Sequence, residues 1–183
     1  EIFKDRKNQF VFAGRLDEAK GVDVLLNSWK KLGNNFSKLI ICGTGPLKNK
    51  CESFILSNNI INVLLIGEIS HEELLTIVGQ SKALVFPSQW YEGFPMVIIE
   101  ALSVGTPIIS NNLGTPGLIV KKHTKCGSLF DGSSNGLTKA LKSFDSTTID
   151  YDYIKSIYTN YYSDTKNYTD LLNIYHKIES FKK

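Results

Sequence analysis

The chain alternates short apolar runs with amphipathic stretches. The run "QFVFAG" at 9–14 predicts a buried strand, because it is apolar, short and bounded by polar residues and glycine. The stretch 20–32 has apolar residues at helical spacing and predicts a helix with one buried face. These apolar residues are Val22, Leu25, Leu26, Trp29 and Leu32.

The same alternation continues along the chain. Further strands are predicted at 37–43, 61–67, 83–87, 107–110 and 127–131, and further helices at 46–57, 70–81, 95–105, 134–144, 150–162 and 164–181. The helix at 70–81 has a capping-box signature, with Ser70 as N-cap and Glu73 three residues later. After the fifth strand, 111–117 is predicted as a loop, and the basic cluster at 121–125 as a solvated loop rather than a binding patch.

This pattern indicates an α/β fold, because short, wholly apolar strands that alternate with helices are typical of a parallel sheet covered on both faces. We predict a Rossmann-like, doubly wound parallel sheet of about six strands flanked by helices. Residues 1–145 would form this domain. At 146–183 the composition shifts to Tyr, Asn, Asp and Lys, which predicts a C-terminal helical tail that packs on the domain.

Composition and charge exclude several classes of protein. The 183 residues are 42% hydrophobic and 21% charged, as in an ordinary globular domain, and the net charge of +3 is too mild to predict nucleic-acid binding. No apolar run approaches the roughly 18 residues that span a bilayer. Three cysteines without a CxxC spacing predict buried thiols in a reducing compartment, so we expect a cytoplasmic protein.

In a doubly wound sheet the ligand lies at the carboxyl ends of the strands, so the residues after each strand carry the functional prediction. The first strand is followed by Arg15 and Lys20, and the second by Gly43 and Gly45. The fourth is followed by Glu92. Each of these has an ordinary alternative, because such cations are often surface groups and such glycines often form a tight turn.

The helix predicted from Pro95 adds free N–H groups and a positive dipole end to the same edge. Arginine offers a planar fork of donors, lysine a compact charge, and glycines allow a backbone to approach closely. Their convergence predicts a site for a phosphate or diphosphate.

Glu100 lies within that largely apolar helix. A buried, unpaired carboxylate costs several kcal/mol, so Glu100 needs partners. It is either a structural carboxylate paired with a backbone N–H or a cation, or it accepts hydrogen bonds from the hydroxyls of a ligand. Ribose is the natural candidate for such a ligand beside a diphosphate.

Four segments of the chain, taken together, resemble a known protein family. "GRLDEAKG", "ICGTGPL", "FPSQWYEGFPMVIIEALSVGTPII" and "GTPGLI" resemble, in order and spacing over about 9–131, the C-terminal half of retaining glycosyltransferases of family 4, group 1 type. Glu92 and Glu100 match the E-x7-E pattern of that family. The resemblance implies a GT-B architecture, in which two Rossmann-like domains enclose the active site and the C-terminal one binds a nucleotide-sugar.

The resemblance also implies roles for individual residues. Arg15 and Lys20 match the pair that neutralises the donor diphosphate, Glu92 the carboxylate that meets a sugar hydroxyl, and Glu100 the one that holds the ribose. The remaining implied donor-binding residues are Gly14, Gly43, Gly45, Glu68, Ile69, Phe94, Pro95 and Met96. Two positions depart from the pattern of many relatives: Pro95 stands in place of glycine, and Gly117 in place of glutamate.

The family further implies partners and context. We expect a UDP-linked donor sugar, no metal or other cofactor, and retention of the anomeric configuration. The acceptor would be a glycan or lipid-linked saccharide bound by an N-terminal domain that these residues do not include, so this chain alone is expected to bind donor weakly or not at all and to transfer no sugar. The context would be bacterial capsule, lipopolysaccharide or related cell-surface polysaccharide synthesis, peripheral at the inner face of the plasma membrane.

Three alternatives stay open at the level of sequence. The segment "GTGPLK", with Glu68 after the next strand, has part of a dinucleotide-binding fingerprint, although such fingerprints usually open the first βαβ unit. The segment "DYD" at 150–152 has the form of a metal-binding DxD, but its place at a predicted helix start favours a cap. The domain could also be a non-catalytic sugar-nucleotide-binding module.

The tail raises a separate question. Its last helix has an apolar stripe consisting of Tyr168, Leu171, Leu172, Tyr175 and Ile178. Packing on the chain's own sheet is the simpler interpretation of most of the tail. The family resemblance instead implies that this last helix reaches toward the other domain, which would leave the stripe exposed here.

Overall fold

The computed structural model of the protein describes residues 6–180, and there it contains one six-stranded sheet with helices on both faces. The strands are β1 Gln9–Ala13, β2 Lys38–Cys42, β3 Val63–Gly67, β4 Leu84–Phe86, β5 Ile108–Asn111 and β6 Gly127–Phe130. The helices are α1 Val22–Leu32, α2 Lys48–Ser57, α3 His71–Gly79, α4 Met96–Ser103, α5 Gly114–Lys122, α6 Ser134–Lys142, α7 Tyr151–Ile157 and α8 Asp164–Ser180.

All neighbouring strands are parallel, and their order is β3-β2-β1-β4-β5-β6. The strand order reverses between β1 and β4, which is where a doubly wound sheet opens its ligand crevice. The predicted fold class is therefore confirmed. Every predicted strand is found within one or two residues of its expected bounds.

Two hydrophobic cores cover the two faces of the sheet, because successive side chains of a strand point to opposite faces. In β1, Val11 packs in one core, whereas Phe10 and Phe12 pack in the other. Trp29 of α1 is fully buried in the second core, where its indole N–H donates to the carbonyl of Ser37 at 3.1 Å. This packing fixes the β1–α1 connection, which carries the two predicted cations.

The loops predicted at 111–117 and 121–125 are wrong for most of their residues. Residues 114–122 form α5 and 124–126 form a short 3₁₀ turn. Glycine and proline in the first turn of α5 hide the helical signal, while burial of Ile119 and Val120 stabilises the helix. Lys121 and Lys122 lie exposed in the last turn, where their positive charges interact favourably with the negative end of the helix dipole.

The tail is helical, as predicted, and its two parts differ in burial. Its first part packs on the domain, since α7 buries Ile154 and Ile157 in the first core. The predicted helix 150–162 then continues as a π-helical turn at Tyr158–Tyr162. In α8, by contrast, the predicted stripe is exposed, from 37% at Leu172 to 64% at Tyr168. The stripe therefore does not pack on the sheet, and the predicted end of its helix at residue 181 lies outside the described residues.

Candidate functional site

The crevice between β1 and β4 is occupied by an ion pair. Lys20, in the connection after β1, donates to Oε1 of Glu92, in the connection after β4, with 2.5 Å between Nζ and Oε1. Both side chains are largely withdrawn from solvent, with exposures of 29% and 18%. The structure thus brings together, at the switch point of the sheet, two residues 72 positions apart that the sequence analysis singled out separately.

Ser88 is part of the same site, and the sequence analysis missed it. Its side chain is 3% exposed, and its hydroxyl lies 2.9 Å from Oε1 of Glu92 and 3.0 Å from the carbonyl of Ala19. The local sequence around Ser88 does not distinguish it from other serines in loops. The one feature that could have indicated its role is its position next to the strand end, four residues before Glu92.

Arg15 belongs to the same connection as Lys20, but its side chain is far more exposed than that of Lys20. Its side chain is 69% exposed, and Nε lies 3.4 Å from the carboxylate of Asp17. Arg15 lines a cleft of about 420 Å³ together with Gly14, Gly43, Gly45, Glu68, Thr44 and Pro46. Most of the guanidinium fork remains accessible, as an anion would require.

Backbone packing alone explains why positions 43 and 45 are glycine, whether or not a ligand binds there. A Cβ on Gly43 would lie 2.1 Å from the carbonyl oxygen of Gly14, and one on Gly45 would lie 2.5 Å from that of Leu16. The connections after β1 and β2 therefore pack backbone against backbone, and only glycine fits between them. The two glycines form the floor of the cleft rather than a separate phosphate-binding loop.

A second cleft of about 450 Å³ adjoins the first and is more apolar. It is lined by Ala13, Gly14, Cys42, Gly43, Glu68, Ile69, Leu74 and Val97. Glu68 and Ile69 thus lie next to the glycine floor. Burial raises the pKa of Cys42 to about 12, so this thiol stays protonated and is not a nucleophile here.

The N-terminus of α4 forms another edge of the site. Pro95 is its N-cap, and no side chain caps the first turn, so N–H groups of that turn remain available. Met96 is 60% exposed and Phe94 53% exposed, and the Phe94 ring lies 6.2 Å from that of Tyr162. The helix begins at Met96, one residue after its predicted start.

Glu100 has a partner that sequence reasoning did not identify. Its Oε1 lies 3.1 Å from Nε2 of His71, the first residue of α3. The carboxylate is 18% exposed, whereas the imidazole is 66% exposed. Glu100 therefore lies at the edge of the first core and not within it, and its partner is an exposed surface histidine.

The structure bears on one of the predicted alternatives, the metal-binding interpretation of the DYD segment. Asp150 accepts from the N–H of Tyr153 at 2.9 Å and caps α7, which confirms the capping interpretation of the DYD segment. Within 6–180 no group of three His, Cys, Asp or Glu side chains is arranged to hold a metal. No helix in the same range is long and apolar enough to cross a membrane.

Comparison with known proteins identifies the family and the fold of the chain. Residues 1–156 match the family described as glycosyl transferases group 1. An uncharacterized glycosyltransferase from Methanocaldococcus jannaschii is 37% identical over 110 residues, which cover 60% of this chain and 30% of the relative. The chain therefore spans about a third of the length of that relative.

Two solved structures are similar in fold. The lipopolysaccharide outer core galactosyltransferase WaaB in its apo form has a TM-score of 0.75 at 24% identity, over 95% of this chain and 50% of that one. HepE from Anabaena, in complex with UDP and glucose, has a TM-score of 0.78 at 17% identity, over 92% of this chain and 48% of that one. The chain belongs to the glycosyl transferases group 1 family, and its fold is that of about half of a GT-B glycosyltransferase.

Proposed function

We propose that this chain is the donor-binding part of a retaining glycosyltransferase that uses a UDP-linked sugar and acts in bacterial cell-surface polysaccharide synthesis. The observation that carries the proposal is the Lys20–Glu92 pair at the switch point of the sheet. It places a cation for the diphosphate and a carboxylate for a sugar hydroxyl side by side. The UDP and glucose in the HepE structure, and the lipopolysaccharide substrate in the name of WaaB, support the choice of donor and context.

The charges suit the reaction. Cleavage of the bond between the anomeric carbon and the diphosphate leaves negative charge on the departing nucleotide. Lys20, the exposed fork of Arg15 and the uncapped start of α4 would face the diphosphate on which this charge develops, and one such donor is typically worth about 3 kcal/mol of transition-state stabilisation. These cations and N–H groups can stabilise the leaving group without a metal ion.

Both carboxylates of the proposed site already have a partner, because Lys20 is paired with Glu92 and the imidazole of His71 contacts Glu100. When donor binds, the diphosphate would share the Lys20 ammonium, and ribose hydroxyls would take the place of His71 on Glu100. Glu92 would remain close to Lys20 and present its other oxygen to the sugar. The contacts of the donor with Lys20 and Glu100 would thus replace or share ones that the protein already makes, whereas those with Arg15 and the start of α4 would be new.

A calorimetric panel on the full-length protein tests this function. The panel compares UDP, GDP, NAD, UDP-glucose, UDP-galactose, UDP-N-acetylglucosamine and GDP-mannose. UDP should bind more tightly than GDP and NAD. Lys20→Ala and Glu100→Gln should each weaken UDP binding about tenfold or more, since each removes a hydrogen bond with a charged partner.

Two matched variants serve as controls. Lys38→Ala removes an exposed lysine at the opposite end of the sheet, and Glu72→Gln neutralises an exposed glutamate next to His71. Both should bind UDP within about twofold of the wild type, because neither side chain lies in the crevice. If Lys20→Ala and Glu100→Gln behave like these controls, the assignment of the site is wrong.

A further inference from the structure

We infer that Ser88 is a positioning residue that fixes which oxygen of Glu92 meets the donor sugar. This inference rests on the proposed role of Glu92. It is based on the hydrogen bonds that connect Ser88 with Glu92 and Asn111, and Glu92 with Lys20.

The backbone of Ser88 is held from two sides. Its carbonyl accepts a hydrogen bond from Nδ2 of Asn111 at 2.8 Å, and Asn111 lies at the end of β5 with an exposure of 8%. The next residue, Gln89, donates its backbone N–H to the carbonyl of Ala19 at 2.7 Å. Ser88 is therefore fixed relative to three strands, because β1, β4 and β5 all end around it.

The hydroxyl of Ser88 has one proton and three acceptors within hydrogen-bond distance. Oε1 of Glu92 lies at 2.9 Å, the carbonyl of Ala19 at 3.0 Å and the carbonyl of Trp90 at 3.4 Å. Hydrogen bonds to an ionised acceptor are about twice as strong as those to a neutral one, so the proton goes to the carboxylate. The backbone N–H of Trp90 lies 3.4 Å from the serine oxygen and completes its surroundings.

The result is an asymmetric carboxylate. Oε1 of Glu92 accepts from both Ser88 and Lys20, whereas no group in the described part of the chain hydrogen-bonds Oε2. Two fixed donors on one oxygen prevent the carboxylate from rotating about its last bond. Oε2 is thereby left as the oxygen available to a sugar hydroxyl, and Ser88 sets its direction without touching the sugar.

The experiment is a double-mutant cycle in the full-length protein, with Ser88→Ala, Glu92→Gln and the combined variant. Release of UDP from the fastest-hydrolysed UDP-sugar of the panel is measured without acceptor, and binding of UDP alone is measured by calorimetry. Ser88→Ala should lower kcat/KM about tenfold, because a hydrogen bond to a charged group is lost, while Lys20 still holds Oε1. Binding of UDP alone should change less than about twofold, since UDP has no sugar for Glu92 to meet.

The combined variant gives the sharpest readout. Because Ser88 acts through Glu92, Ser88→Ala should cost less than about twofold in the Glu92→Gln background. Ser88→Thr keeps the hydroxyl and should restore kcat/KM to within about threefold of the wild type. Ser28→Ala is the matched control, since Ser28 is also fully buried and donates to the carbonyl of Val24 at 2.8 Å, but lies far from the crevice in α1.

Several results would overturn the inference. Equal losses from Ser88→Ala in the wild-type and Glu92→Gln backgrounds would show that Ser88 does not act through Glu92. Equal losses for UDP and UDP-sugar would show a general structural role. If Ser88→Ala does not fold, Ser88→Cys keeps the size of the side chain with a much weaker donor, and full activity of that variant would overturn the inference.

The same variants distinguish a failure of the proposed function from a failure of the inference about Ser88. If Glu92→Gln itself leaves kcat/KM within about twofold of the wild type, the role proposed for Glu92 is wrong. If Glu92→Gln is impaired but Ser88→Ala is not, only the inference about Ser88 fails.

Discussion

Gly21→Ala tests how closely the two connections of the site must pack. Gly21 is the N-cap of α1, directly after Lys20, and has φ +72° and ψ 28°. An added Cβ would lie 2.0 Å from the carbonyl oxygen of Pro87 and 2.8 Å from its carbonyl carbon. Both are backbone atoms, so the β1–α1 and β4–α4 connections would have to separate.

The expected loss of stability has two parts. A left-handed conformation costs a residue with a Cβ about 1–2 kcal/mol. Overpacking against fixed atoms adds about 1–3 kcal/mol. Gly21→Ala should therefore lower the free energy of unfolding by about 2–5 kcal/mol in a urea titration, and it should also weaken UDP binding because Lys20 moves away from Glu92.

Gly67→Ala is the matched control. Gly67 has φ +76°, but a Cβ there would meet no atom within 4 Å. This variant should lose only the conformational part, about 1–2 kcal/mol. Surface substitutions usually change the free energy of unfolding by no more than about 0.5 kcal/mol. If the losses of the two variants agree to within about that amount, the close approach of the two connections is wrong.

Three further predictions concern the rest of the chain. Trp29→Ala should destabilise by about 3–5 kcal/mol in the same titration, since Trp29 is fully buried, whereas Trp90→Ala, at a position 69% exposed, should cost less than about 1 kcal/mol. Asp150→Ala should cost about 1 kcal/mol through loss of the α7 cap, and Asp150→Asn, another good cap, much less; thermal unfolding that ranks them equally would contradict the cap. Burial raises the pKa of Cys42 and Cys126 to about 12, so at pH 8 iodoacetamide should alkylate both far more slowly in the native than in the urea-unfolded protein, and equal rates would contradict their burial.

The sheet could be predicted because its signals are local. Each strand is a short apolar run with a polar or glycine boundary, and the order of residues that follow the strands indicates the ligand edge. The capping box at the start of α3 was likewise predictable, and the structure has both of its hydrogen bonds between Ser70 and Glu73. The helix α5 was not, because Gly114, Pro116 and Gly117 disfavour a helix that burial then stabilises.

The partners within the site could not be predicted, since they depend on contacts between distant segments. The sequence singles out Glu100 but gives no reason to pair it with His71, 29 positions earlier and on another helix. The sequence predicts Lys20 and Glu92 at the same edge of the sheet but gives no reason to pair them; the reversal of strand order between β1 and β4 brings them into contact. The exposed stripe of α8 is a third case, because helical periodicity identifies an apolar face but not what covers it.

The most direct test of the central claim is a structure of the full-length protein with a bound UDP-sugar. We predict that the diphosphate oxygens lie within about 3 Å of Lys20 Nζ and of the Arg15 guanidinium, that Oε2 of Glu92 meets a sugar hydroxyl, and that the ribose lies against Glu100. A diphosphate bound elsewhere, with the Lys20–Glu92 pair intact and unshared, would contradict the account.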